Sequence, residues 1–307
     1  MPDRNLQAGP RIFAMKLNLR KISVTLRYFL MGLVIGLVDL VPGVSGGTLA
    51  FTFGIWENLL NSIGQILSSL KMAGKLKFRF AFAQLRDIDW QLVMPVGIGV
   101  LSSLLLGASI IAELLETRPE ELRGLFFGLV IASIYFSMRT IESLNWRGLL
   151  FLVCGTSISF FVAGLPGASI EDPSLLIVFV VASISISATI LPGVSGSFIL
   201  LIFGLYETFI EAVRDRDFVM WGVFCAGAWV GTAMFTSIIR TLLRRYRQIV
   251  IFALTGLMIG GSRVLWPWLG TDRELLLPDS SDGVSAVLAS LVVGLLLAVV
   301  LYRIVRK

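Results

Sequence analysis

Two nearly identical segments interrupt long apolar regions of this chain with proline and glycine. They read DLVPGVSGGTLAFTFGIWE at 39–57 and TILPGVSGSFILLIFGLYE at 189–207. Proline removes a backbone donor and ends the preceding helix, and glycine permits sharp turns. In hydrocarbon, such a break is tolerated only where protein, water or ligand pairs the freed backbone groups. We therefore predict two broken-helix hairpins, re-entrant or fully spanning, in which Pro42 and Pro192 end one arm and the next arm begins near the serine three positions later.

The remainder of the chain has the composition of a protein dissolved in lipid. Hydrophobic residues make up 56% of the 307 positions and charged residues only 15%, whereas about a quarter of the residues in a soluble domain are charged. Six further apolar stretches are long enough to cross ~30 Å of hydrocarbon. These predicted spans are 92–115, 122–138, 148–164, 218–239, 249–268 and 284–302. The sequence therefore predicts an all-α polytopic membrane protein.

The chain contains an internal duplication that extends beyond the two hairpins. With Pro42 aligned to Pro192, eight of the seventeen positions from 41 to 57 are identical, and matches such as Gly128 and Gly256 resume at an offset of 128. Each unit holds one hairpin and three spans, which is an odd number of crossings, so the second unit is predicted to be inverted in the membrane, as in many transporters. The predicted domains are a basic tail at 1–23, a first repeat at 24–164, a second repeat at 165–303 and a short tail at 304–307.

The positive charges predict the orientation of the chain. Twenty of the 26 Lys and Arg residues fall in five segments that this topology places on one face. The positive-inside rule makes that face cytoplasmic. We therefore expect the protein in the cytoplasmic (inner) membrane, with both termini in the cytoplasm. The five segments are 1–27, 71–86, 139–147, 240–247 and 303–307.

The segment 71–86 is absent from the second repeat and mixes basic with aromatic residues. Five Lys and Arg residues alternate there with Phe78, Phe80 and Phe82. This pattern is typical of a helix that lies in the membrane interface and contacts anionic phospholipid headgroups. An ordinary basic loop is the alternative.

The hairpin breaks are the candidate binding site. Helix N-termini and their free N–H groups favour anions, and phosphate is a common ligand. We expect two tips that meet near the membrane midplane to form one shared anion site; a kink capped by its own serines is the alternative. The predicted phosphate-binding residues are Gly43, Ser45, Gly46, Gly47, Thr48, Gly193, Ser195, Gly196, Ser197 and Arg263.

Three acidic residues in or beside the hairpins are candidates for proton coupling or ion pairing. They are Asp39, Glu57 and Glu207. Ionised carboxylates repel phosphate, so these groups are expected to carry protons or to pair with arginine. Arg263 has a second interpretation, in which it extends to the interface beside Trp266 and Trp268.

Enzyme chemistry finds little support in the sequence. The chain has no histidine, which removes imidazole bases and histidine-ligated metals. No catalytic residue, metal, cofactor or nucleic-acid partner is predicted. Cys154 and Cys225 lie in apolar segments and do not indicate a disulfide framework.

Two connections carry helix-start patterns. In TRPE, Thr117 is the predicted N-cap of a helix with Pro119 in its first turn and Glu120 completing a capping box. In EDPS, Asp172 before Pro173 is expected to mark the start of the second hairpin.

The two hairpin segments, together with GSRVLWPW at 261–268, resemble the PopT-type polyprenyl-phosphate transporters, formerly a membrane domain of unknown function. The resemblance covers about residues 24–303; Trp56 stands where a tyrosine is expected. It implies a flippase that returns undecaprenyl phosphate, the lipid carrier of cell-wall precursors, to the cytoplasmic leaflet by alternating access. A proton carried by Asp39 or Glu57 is a candidate driving ion. The alternatives are a small-anion channel or exchanger, a lipid-phosphate enzyme and a structural partner of the cell-wall machinery; oligomeric state stays open.

Overall fold

A computed structural model of the chain describes residues 8–41, 43–270, 273–279 and 283–306. Pro42, predicted to break the first hairpin, lies outside the described residues, as do the first seven residues of the predicted basic tail and Lys307 at the end of the other tail. Within the described residues the elements are helical, apart from one β-bridge between Leu269 and Leu275.

The described residues form twelve α-helices and a 3-10 turn at Ser262–Leu265. The α-helices are α1 Ala8–Asp39, α2 Gly46–Thr52, α3 Trp56–Gly74, α4 Phe78–Arg86, α5 Trp90–Thr117, α6 Pro119–Met138, α7 Trp146–Ala163, α8 Leu175–Ile190, α9 Gly196–Ile202, α10 Tyr206–Arg214, α11 Phe218–Gly261 and α12 Val284–Arg306. Five of them, α5, α6, α7, α11 and α12, are long and apolar enough to cross a membrane. The prediction of an all-α polytopic membrane protein is therefore confirmed.

Helix α11 contains two of the predicted spans. Its 44 residues bend at Tyr246, whose backbone has φ −137° and ψ 40°. In the first half of the chain, Arg118 has nearly the same backbone, with φ −142° and ψ 53°, in the single-residue connection between α5 and α6. The two positions are 128 residues apart, the offset of the duplication, so the same break recurs in both halves.

The capping box predicted at TRPE is wrong. Helix α5 continues through Thr117, whose hydroxyl donates to the carbonyl of Glu113 at 2.7 Å, and Arg118 takes the N-cap position of α6. Pro119 does open α6. The connection is too short for Thr117 to leave the first helix and cap the second.

The start of the second hairpin is two residues later than Asp172 suggested. Ser174 is the N-cap of α8, and its hydroxyl accepts from the N–H of Ile177 at 3.4 Å. Asp172 has φ 50° and lies in the turn that precedes the helix.

Glycines set the close packing of the helices, and equivalent glycines do so in both halves. A side chain at Gly128 of α6 would overlap the carbonyl of Leu291 in α12. A side chain at Gly256 of α11 would overlap the carbonyl of Leu152 in α7 in the same way. A helix of each half thus packs along a helix of the other, and the halves interlock. The inversion of one half relative to the other stays a prediction.

The bundle has two ends, which we name by one residue at each. At the Trp266 end, Arg123 donates to the carbonyl of Pro267 at 3.3 Å, and Trp266 donates to the carbonyl of Leu276 at 2.8 Å. At the Arg247 end, Arg247 lies 2.8 Å from Glu57. The start of α3, the α6–α7 connection and the bend in α11 lie at the Arg247 end.

The basic segment 71–86 forms the end of α3 and the short helix α4. The two helices pack together, with the Ser69 hydroxyl donating to the carbonyl of Ala81 at 2.8 Å. Phe78, Phe80 and Phe82 of α4 are exposed. Exposed aromatic side chains agree with an interfacial position, and the contact of this segment with anionic headgroups stays a prediction.

Candidate functional site

The second arm of each hairpin begins where the sequence predicts. Helix α2 begins after Ser45, an N-cap with φ −119° and ψ 119°, and α9 begins after Ser195, with φ −101° and ψ 128°. Neither serine side chain bonds the N–H groups of its own helix. Each helix has only seven residues, so its macrodipole is small. Affinity for an anion must come from N–H groups and hydroxyls rather than from the dipole.

Glycine is required at the start of both turns. Gly43 has φ 93° and Gly193 has φ 90°, a backbone region that residues with a side chain rarely adopt. Both sites are also crowded. A Cβ at Gly193 would lie 2.5 Å from the backbone nitrogen of Met258, and one at Gly43 would overlap the Val264 side chain. The two tips therefore pack against the end of α11 and the turn that follows it.

The two hairpins contact each other directly through polar groups. Among the described residues, three hydrogen bonds cross between them, each joining a side chain of the first hairpin to the backbone of the second. They run from the Gly193 N–H to Thr48 Oγ1 at 2.9 Å, from Ser45 Oγ to the Leu191 carbonyl at 3.3 Å, and from Trp56 Nε1 to the Ile190 carbonyl at 2.8 Å. The side chains of the first hairpin thus pair backbone groups freed by the break in the second.

Asp39 and its counterpart Thr189 distinguish the two tips. The Asp39 carboxylate accepts from the N–H of Gly46, the first residue of α2, at 2.6 Å. Thr189 lies beside Gly196 in the corresponding place but is uncharged, and its hydroxyl donates to the carbonyl of Ser185 at 3.1 Å. The first helix start is therefore occupied by the protein's own anion, and the second is not.

Two serine hydroxyls are adjacent at the second tip. Ser195 Oγ and Ser197 Oγ are 2.9 Å apart. Gly47 of the first tip packs against the second hairpin, since a Cβ at Gly47 would be 3.1 Å from the carbonyl oxygen of Thr189. The structure thus brings together the predicted residues from 43 to 48 and from 193 to 197.

The space between the tips is nearly closed. The cavity lined by Gly43, Ser45, Thr48, Gly193 and Met258 has a volume of about 10 Å³. Such a volume holds no more than about one water molecule. In this conformation the tips are packed against each other, and a phosphate group has no room between them.

Arg263 lies away from the serines, at the Trp266 end. Its guanidinium donates to the carbonyls of Phe160 at 3.3 Å and Arg273 at 3.2 Å, and it lies 4.5 Å from the centroid of the Phe160 ring. These contacts tie the end of α7 to the connection before α12. In this conformation the guanidinium serves as a structural anchor.

The two matched glutamates lie at opposite ends of the bundle. Glu57 pairs with Arg247 at 2.8 Å, and both side chains are exposed. Glu207 lines an acidic cavity of about 810 Å³ at the Trp266 end, beside Glu171 and Asp172 of the α7–α8 connection. Neither glutamate reaches the contact between the tips.

A basic cavity lies beside the tips, and no sequence pattern predicted it. Arg123 of α6 and Arg273, 150 positions later, both line a cavity of about 420 Å³ at the Trp266 end. The wall of this cavity also includes Val41 and Leu265. Val41 is the last described residue before the break, and Leu265 also lines the space between the tips. No local pattern links two arginines so far apart.

Comparisons with known proteins agree with the resemblance found in the sequence. The VCA0040-like family, described as undecaprenyl phosphate translocase-like, matches residues 31–284. A protein of Vibrio cholerae serotype O1 named polyprenyl-phosphate transporter is 37% identical over 243 residues, which cover 79% of this chain and 78% of that protein. A Staphylococcus aureus protein of the same name is 26% identical over 260 residues, covering 79% of this chain and 87% of that protein. No solved structure matches the chain.

Proposed function

This chain belongs to the undecaprenyl phosphate translocase-like family, and on that premise we propose that it carries undecaprenyl phosphate, or a related polyprenyl phosphate, across the membrane. The family and its relatives make it a multi-pass membrane transporter rather than an enzyme. The observation that carries the proposal is the polar contact of the two hairpin tips inside an apolar bundle. It supplies hydroxyls and backbone N–H groups where the hydrocarbon of a bilayer would supply none.

The phosphate group is the part of the substrate that needs a protein. Moving an uncompensated anion into hydrocarbon costs many kcal/mol, whereas the isoprenoid tail is itself apolar. We propose that Ser45 and Thr48 of the first tip and Gly193, Ser195 and Ser197 of the second replace the hydration of the phosphate as it crosses. The tail stays in lipid, beside the exposed apolar faces of the bundle.

Transport requires the tips to separate, because the space between them is too small for phosphate. We propose that one hairpin, together with the helix packed on its first arm, moves relative to the other. This movement breaks the bonds between the hairpins and opens the contact to one side and then to the other. The packed pairs are α1 with α5 and α8 with α11. Glycine-lined helix contacts leave little room for repacking within each pair. Movement between rigid units is therefore favoured over local rearrangement.

Asp39 is the proposed coupling group. Its carboxylate holds the Gly46 N–H at 2.6 Å, and an ionised carboxylate at this place repels phosphate. Protonation removes that repulsion and weakens the hydrogen bond from the Gly46 N–H, because a neutral carboxyl group is a poorer acceptor than a carboxylate. Glu57 and Glu207 lie at the ends of the bundle, and for them we retain ion-pair roles, Glu57 with Arg247.

The charge distribution supports an orientation of the chain, and the inward direction of recycling is what the family resemblance implies. The Arg247 end carries most of the basic segments and is the proposed cytoplasmic end by the positive-inside rule. The Trp266 end then faces outward. Carrier left on the outer leaflet would enter there and be returned to the cytoplasmic leaflet.

Purified protein in proteoliposomes tests this function. Undecaprenyl phosphate is incorporated in the vesicles, and its accessibility on each leaflet is followed over time, with and without a pH gradient. We expect the wild-type protein to equilibrate the lipid much faster than empty vesicles. If vesicles with the protein equilibrated the lipid no faster than empty vesicles, both with and without the pH gradient, lipid translocation would be refuted. Flux of chloride or inorganic phosphate without movement of the lipid would instead establish a small-anion transporter.

A further inference from the structure

The cavity between Arg123 and Arg273 lies beside the hairpin tips and is large enough to hold an anion outside them. Its volume is about 420 Å³, enough for a hydrated phosphate group. The space between the tips, at about 10 Å³, is not. Of these two neighbouring cavities, the arginine-lined one is therefore where an anion fits in this conformation.

Both arginines lack an ion-pair partner among the described residues, which exclude 271–272 beside Arg273. Among the described residues, ion pairs within 4.0 Å involve Arg214 and Arg247 and neither of these two. Arg123 donates to the carbonyl of Pro267 at 3.3 Å. The guanidinium of Arg273 lies 4.4 Å from the centroid of the Phe198 ring, and its buried Nη1 has no hydrogen-bond partner among the described residues.

The two guanidinium groups also repel each other. Burial lowers the pKa of Arg273 below the usual range for arginine, and the positive charge of Arg123 lowers that pKa further. Arginine nevertheless stays protonated at neutral pH. Among the described residues, the nearby carboxylates are Glu120, one turn before Arg123, and Glu274, which lies against Gly270 in the cavity wall. Neither is within salt-bridge distance of the two arginines in the described part of the chain.

Residues that line the cavity connect it to both hairpins. Val41 precedes the first break, and Leu265 lines both this cavity and the space between the tips. On the other side, Phe198 beneath Arg273 directly follows Ser197 in α9. An anion in the cavity would therefore lie one side chain away from each tip.

We propose that this cavity is a separate binding subsite for a phosphate monoester, occupied by the headgroup before it reaches the tips. A monoester carries up to two negative charges and three unsubstituted oxygens, which match the planar donor fork of arginine. Leu115 and Leu269 in the wall suit the first isoprenoid carbons. The inference rests on the proposed function, because it assigns a second site to the same substrate.

Binding to the purified full-length protein in detergent tests the subsite without requiring transport. The probes are farnesyl phosphate, farnesol and inorganic phosphate, measured by isothermal titration. The variants are Arg123→Gln/Arg273→Gln and the single Arg273→Gln. The matched control is Arg118→Gln, an exposed arginine at the same helix end that does not line the cavity.

We expect farnesyl phosphate to bind the wild type and the Arg118→Gln control equally. The double variant should bind it at least tenfold more weakly, since each charged hydrogen bond contributes roughly a tenfold factor or more. Arg273→Gln should give an intermediate loss and should fold normally, because the bond that its backbone carbonyl accepts from Arg263 does not depend on its side chain. Thermal midpoints of the variants check folding.

The three probes distinguish a site for a lipid phosphate from a general phosphate site, and the binding assay tests the subsite separately from transport. Inorganic phosphate that binds as tightly as farnesyl phosphate would show a general phosphate site and overturn the lipid assignment. Unchanged affinity of a folded Arg273→Gln and of the double variant would overturn the subsite, even if vesicles still show transport. Absence of lipid transport in vesicles with the wild-type protein would contradict the proposed function. Binding of farnesyl phosphate that depends on the two arginines would still support the subsite in that case.

Discussion

Replacing Thr48 with valine tests whether the hydrogen bond between the hairpins stabilises the closed contact. Thr48 is only 2% exposed, and its Oγ1 accepts from the Gly193 N–H at 2.9 Å. Valine has the same shape but accepts no hydrogen bond. The N–H would be left buried and unpaired, which costs about 1–3 kcal/mol. The adjoining cavity of about 10 Å³ leaves room for at most one water to replace the lost acceptor.

Thr52→Val is the matched control for this prediction. Thr52 lies one turn later in the same helix, is 5% exposed, and its hydroxyl donates to the carbonyl of Thr48 within that helix at 2.8 Å. Such back-bonding adds little to helix stability, so we expect a loss of roughly 0.5 kcal/mol or less. Both variants are unfolded by SDS in detergent micelles, and the free energies of unfolding are compared. Equal losses in the two variants would refute the role of the bond between the hairpins.

Three further predictions follow from the packing, the orientation and the proposed coupling. Gly99→Ala should destabilise the bundle by about 1–3 kcal/mol through overpacking, whereas Gly97→Ala, with open space around its Cβ, should not; the same SDS titration distinguishes them. In intact cells, a thiol-reactive probe that does not cross membranes should label Leu277→Cys at the outer end and not Leu144→Cys; the reverse labelling would contradict the orientation. Asp39→Asn should make transport in proteoliposomes independent of a pH gradient, and a retained dependence would exclude Asp39 as the coupling group.

Local signals predicted most of the long helices and the two hairpin breaks. The proline and glycine of each PGVSG segment end one helix within a few residues, and the serine that follows has the extended backbone of an N-cap. The duplication was visible for the same reason, since positions such as Gly128 and Gly256 serve equivalent helix contacts. The capping box predicted at Thr117 is wrong because a local pattern does not show the length of the connection. Arg118 alone joins α5 to α6, which is too short for Thr117 to cap the second helix.

The arrangement of the site depends on contacts that no local pattern contains. The bond between Thr48 and Gly193 joins residues 145 positions apart. Asp39 was recognisable as an unusual charge, but its bond to the start of α2 depends on how the chain folds back across the break. Arg123 and Arg273 were two of a few basic residues outside the main segments, and only their packing at one cavity sets them apart.

The central claim is that the phosphate crosses where the two tips meet, and Ser45→Ala/Ser195→Ala tests it most directly. Leaflet accessibility of undecaprenyl phosphate is measured in proteoliposomes beside wild type and Ser102→Ala, whose hydroxyl bonds only a carbonyl of its own helix. The account predicts that a folded double variant loses most of the acceleration while Ser102→Ala keeps it. A folded double variant that transports as fast as wild type would contradict the account.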